Sequence, residues 1–100
     1  MIKHIVFWRM YPEANGNDMQ TNIKIAADQL DEVAKQFPKL RKLTHHTCIF
    51  SGAHYWDYVE EMDFDDLESL MEWGAFPPHL ALRDFVTSVR KERAAVDYEY

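Results

Sequence analysis

The chain has 100 residues and a formal net charge of −6, which argues against a basic nucleic-acid-binding surface. Apolar residues make up 47% and charged residues 28%, the balance of a globular chain rather than a disordered one. No apolar run approaches the roughly 18 residues a membrane helix needs, so no membrane association is expected. Residues 1–4 enter an apolar segment without the layout of a signal peptide. Cys48 is the only cysteine, so no internal disulfide can form and a cytoplasmic location is expected.

In chain order, residues 2–10 predict a strand. Ile2, His4, Val6, Trp8 and Met10 share one face, and Lys3, Ile5, Phe7 and Arg9 the other. Both faces carry large apolar groups, the mark of a central strand covered on both sides. Pro12 and Asn15-Gly16-Asn17 mark a turn region. Asn17 and Gln20 have the spacing of a capping box, which predicts a helix from about Asp18. Met19, Ile23, Ala26, Leu30, Val33 and Phe37 form its apolar stripe, and Pro38 ends it. Residues 43–50 and 55–64 predict an antiparallel hairpin joined at Ser51-Gly52-Ala53. Trp56, Tyr58, Glu60, Met62 and Phe64 share one face of its second strand.

Asp65 and Glu68 suggest a second capping box. Leu67, Leu70, Met71 and Trp73 continue as a short helix, broken by Gly74 and Pro77-Pro78. A last helix is expected over residues 78–91, with Leu82, Phe85, Val86 and Val89 as its stripe. Residues 95–100 close the chain as a strand, with Val96, Tyr98 and Tyr100 opposite Asp97 and Glu99.

The order is β-α-β-β-α-α-β, which predicts one α+β domain over residues 1–100. It would be a ferredoxin-like sandwich with a four-stranded antiparallel sheet and its helices on one face. The other face would leave Ile5, Phe7 and Val59 wet in a monomer, so a homodimer through that open face is expected. Three Trp, five Tyr and six Phe exceed what one small core needs and suggest an interface or a ligand cavity.

Taken together, the segment 2–8 (Ile-Lys-His-Ile-Val-Phe-Trp), the strand 58–64 running into a capped helix, Phe76-Pro77-Pro78-His79, and Ala95-Val96-Asp97-Tyr98 resemble the stress-responsive A/B barrel (Dabb) domain. The resemblance covers essentially the whole chain and implies a dimeric α+β barrel. It also implies a choice of activities, because the family includes a plant polyketide cyclase that closes a linear tetraketide by aldol condensation without metal. Other barrels of similar fold bind or oxidise aromatic compounds.

By that resemblance His4 and His79 match the cyclase's two catalytic histidines. His79 falls at the start of the last helix, where the positive end of the dipole disfavours protonation and leaves a base. Proton abstraction beside a carbonyl needs such a group with a pKa near the working pH. The position matching the cyclase's active-site tyrosine is Trp73, which offers an indole N–H but no exchangeable phenol. Both histidines also admit a purely structural reading, as hydrogen-bonded core or helix-start residues.

Glu60 shares its face with apolar side chains. Buried, it would be a general base or a ligand-facing acid; at an edge it would stay wet. Two readings of function follow. The first is a dimeric domain binding a small apolar or aromatic molecule between helices and sheet, with Val6, Trp8, Tyr58, Glu60, Trp73 and Phe85 as ligand contacts. The second is a metal-free acid–base enzyme of cyclase type, or a cofactor-free monooxygenase, using His4 and His79 in that pocket. A metal held by His4, His79 and Glu60 lacks any zinc-type spacing. With no phosphate loop or nucleophile elbow in the sequence, neither metal nor cofactor is expected.

Overall fold

The computed structural model describes all 100 residues. Four long strands form one antiparallel sheet: β1 (Ile2–Met10), β4 (Leu40–Thr47), β5 (Tyr58–Phe64) and β6 (Arg90–Glu99), in the order β4-β5-β1-β6. A separate two-stranded ribbon, β2 (Glu13–Ala14) and β3 (Asn17–Asp18), follows β1. The helices are α1 (Met19–Lys35), α2 (Leu67–Ala75) and α3 (Pro77–Val89). This is the ferredoxin-like α+β fold expected from the element order. None of the helices is long and apolar enough to cross a membrane.

Strand β1 is central, as its two apolar faces require. Its register pairs Val6 with Glu60 and Trp8 with Tyr58 on one side. On the other it pairs His4 with Asp97 and Trp8 with Arg93. Val6, Trp8, Met62 and Phe64 then meet Leu30 and Val33 of α1, Trp73 of α2, and Leu82, Val86 and Val89 of α3 in one buried cluster. One end of that cluster is aromatic: the Phe37 ring centroid lies 5.4 Å from Trp73, 5.2 Å from Phe76 and 6.3 Å from Phe64. Such pairs each add about 0.5–1.5 kcal/mol beyond the area they bury.

Several local expectations need correction. Both helix caps fall one residue later than the capping-box spacing suggested. Asp18 accepts the Thr21 N–H at 2.8 Å, while Asn17 belongs to the short ribbon, paired with Ala14. Asn15 and Gly16 close that ribbon with φ of 53° and 78°, the left-handed pair a type I′ turn demands. Asp66, not Asp65, accepts from the Ser69 N–H and Oγ–H, both at 2.8 Å. Asp65 is occupied by the Arg41 guanidinium.

The hairpin neck closes earlier than predicted. The Cys48 N–H donates to the Asp57 carbonyl at 2.9 Å, so residues 48–57 form a loop and Ile49 is 88% exposed. In α2, Leu67 and Met71 are exposed, and Ser69 and Trp73 supply the buried face. The last strand begins at Arg90 instead of residue 95, directly after α3. A β-bulge interrupts its pairing with β1 where Arg9 faces Glu92 and Met10 faces Arg90, leaving Lys91 over.

Candidate functional site

Between the sheet and the helices lies a cavity of about 370 Å³. Alternation along β1 aims His4, Val6 and Trp8 at it, and β5 adds Glu60 and Met62. The other wall is Trp73 from α2, with His79, Leu82 and Val86 from α3. Six of the sequence candidates therefore converge: His4, Val6, Trp8, Glu60, Trp73 and His79. Tyr58 and Phe85 do not. Tyr58 is buried beyond the cavity against the His45 ring, 5.9 Å away, and Phe85 packs against the core on another side of α3.

Each polar group in the cavity has a distinct setting. The His4 Nδ1 bonds the Asp97 carboxylate across the β1–β6 pair. That contact calls for a proton on Nδ1, which donates to the carboxylate. Asp97 was not among the sequence candidates, because only the strand register places it opposite His4. His79 stands in the first turn of α3, where Pro77 and Pro78 remove two N–H groups that would lack helical partners. Its ring lies 4.8 Å from that of Trp73. Burial lowers its pKa, and the nearby Arg83 cation lowers it further, so His79 is a neutral imidazole at neutral pH.

Glu60 is only 6% exposed. Burial pushes its pKa up to about 7, against the opposing pull of the Trp8 indole, the His45 ring and the Arg93 guanidinium. Trp73 Nε1 is buried with no hydrogen-bond partner in the chain, whereas the Trp8 indole N–H is turned toward the Glu60 carboxyl and the His79 ring toward the Gly74 carbonyl. Buried donors and acceptors are otherwise almost always paired. His4, His79 and Glu60 do not form a metal-binding cluster, nor does any other group of three or more His, Cys, Asp or Glu side chains.

The cavity has a cationic rim that sequence analysis missed. Arg83 comes from α3 and Arg90 and Arg93 from β6. No Gly or Pro marks where α3 gives way to β6, so the sequence does not show which face Arg90 and Arg93 take.

Comparison with known proteins places this geometry in a lineage. The family model for the Stress responsive A/B Barrel Domain matches residues 2–100. Among solved structures, the chain is similar to a dimeric ferredoxin-like protein of unknown function from Bacteroides fragilis, with a TM-score of 0.76, 20% identity, and coverage of 99% of this chain and 95% of that one. A Dabb family protein from Mesorhizobium loti superposes with a TM-score of 0.78 at 16% identity, covering 99% and 95%. A hydroxynitrile lyase from Passiflora edulis does so with 0.79 at 17% identity, covering 97% and 90%. At these identities the structural matches speak for the fold alone. No curated protein sequence matches the chain. The family match spans nearly every residue, and the chain belongs to the stress-responsive A/B barrel domain family.

Proposed function

We propose that this protein is a homodimeric binding domain for a small apolar or aromatic molecule held between its helices and its sheet. The observation that carries the proposal is the cavity of about 370 Å³, flanked by two tryptophans, with the buried Trp73 Nε1 left without a partner. The volume falls within the range of small-molecule pockets, and the mixture of apolar wall and few polar groups is typical of them.

The homodimer rests on the opposite sheet face. Ile5, Phe7 and Val59 are half-buried there, while Val96 and Tyr98 are exposed. Phe7 contacts Trp56, with ring centroids 6.2 Å apart, extending the apolar surface toward the 48–57 loop. A second copy packed sheet on sheet would cover this face. The similar Bacteroides fragilis protein is described as dimeric. Sedimentation should give about twice the chain mass of 11.9 kDa, and Phe7→Asp should shift it to the monomer. Calorimetric titration with 2-naphthamide, a neutral two-ring probe, should show one site per protomer. Absence of binding at millimolar concentration by both this amide and the matching carboxylate, 2-naphthoate, would overturn the pocket assignment.

A second reading is favoured by the His4–Asp97 contact and the neutral His79. A carboxylate-oriented imidazole and a second imidazole across one cavity are suited to moving a proton beside a carbonyl. If so, the protein should speed deuterium uptake from D2O into the methyl group of 2-acetylnaphthalene, and His79→Ala should slow it by about 10²-fold or more. Uptake at the rate of buffer alone removes this reading and leaves the binding domain.

A further inference from the structure

We propose that the ligand of this cavity is an anion, specifically an apolar or aromatic carboxylate whose carboxyl group is held by Arg90 and Arg93. This rests on the pocket assignment above and gives the ligand a charge.

The distribution of cations in an acidic chain carries the inference. The protein has five arginines, of which Arg9 and Arg41 are ion-paired, to Glu92 and Asp65. The other three, Arg83, Arg90 and Arg93, form no salt bridge with the 17 Asp and Glu residues. All three line the cavity. A chain with net charge −6 has ample carboxylate to neutralise them, yet leaves all three without an ion pair. The one carboxylate lining the cavity is Glu60, which feels the Arg93 charge but makes no ion pair with any of the three.

Backbone geometry adds a second, independent observation. In a regular strand, residues 90 and 93 would point to opposite faces, because side chains alternate. The bulge at Lys91 absorbs the odd residue, so that Arg90 faces Met10 and Arg93 faces Trp8 on the same side. Bulges re-aim side chains in this way. Their guanidinium carbons lie 5.8 and 5.6 Å from the Trp8 ring centroid. Two planar forks thus flank one indole at the cavity wall, leaving their N–H groups for a bidentate acceptor. A ligand ring would lie against Trp8 and Trp73, with its carboxylate toward β6.

The test compares 2-naphthoate with 2-naphthamide, which match in shape and differ in charge, by calorimetric titration at low ionic strength. The wild type should bind the carboxylate at least about tenfold more tightly, the lower end for hydrogen bonds to a charged group. The double variant R90Q/R93Q should reduce that ratio to about twofold or less. K91Q, which removes an exposed cation between them that does not line the cavity, should leave the ratio intact. Equal affinity for the two probes in the wild type, or an unchanged ratio in R90Q/R93Q, would overturn the inference while leaving the pocket in place. Failure of both probes to bind would overturn both together.

Discussion

Glu60→Gln should stabilise the folded protein by about 3 kcal/mol above pH 7, with a rise in Tm on the order of 15 °C. The carboxyl titrates near its ordinary value of 4.5 when unfolded and near 7 when buried. Below pH 4.5 both states hold the proton and the group is indifferent to folding. Between 4.5 and 7 the folded protein keeps a proton that the unfolded chain has lost, so stability falls as pH rises. Above 7 both states are charged and the full cost of burying the carboxylate remains. Glutamine removes this slope without emptying the site. Its advantage should grow from nothing near pH 4.5 to its maximum near 7, as read by thermal unfolding across pH. Parallel curves for wild type and variant would contradict the burial and desolvation of Glu60.

Trp73→Ala should have an effect of similar size and opposite sign. Trp73 is 1% exposed and its ring contacts Phe37, Phe64 and His79. Deleting a buried Trp side chain costs about 3–5 kcal/mol, through lost burial and the cavity left behind. In a domain of 100 residues this lowers Tm by something on the order of 20 °C. Trp73→Phe separates packing from hydrogen bonding. It keeps most of the apolar volume and removes an indole N–H that has no partner, so its cost should stay under about 1.5 kcal/mol. A Phe variant as unstable as the Ala variant would mean that the indole N–H, not the packing, holds α2 in place.

Both predictions concern residues that the sequence singled out, and the reason is physical. Strong period-2 patterning in residues 2–10 and 58–64 determines which side chains share a face. His4, Val6, Trp8 and Glu60 are therefore grouped by their spacing alone. Double proline and apolar spacing place His79 and Trp73 near helix ends with similar clarity.

What patterning could not supply was register and breakpoints. Asp97 lies opposite His4 only because β6 pairs with β1 in one particular alignment, which no local signal encodes. Arg90 and Arg93 were hidden because no Gly or Pro separates α3 from β6. Tertiary pairing with β1, not local propensity, converts this charged segment to strand. Ile49 and Phe50 misled in the opposite direction: they look like strand residues, but the Cys48–Asp57 backbone bond has already closed the hairpin. Phe85 lies on the apolar stripe of α3 as expected, but a stripe wide enough to meet both core and cavity does not reveal which one a given ring enters.

The tryptophans report directly on the ligand cavity between helices and sheet. Trp8 and Trp73 line that cavity, whereas Trp56, the third and last Trp, lies at the 48–57 loop end of the opposite sheet face. A ¹⁵N-resolved NMR titration with 2-naphthamide follows all three indole N–H signals at once. The Trp8 and Trp73 signals should move together and saturate while the Trp56 signal stays in place. Movement of Trp56 alone, or of none of the three at millimolar probe, would contradict a ligand site in that cavity.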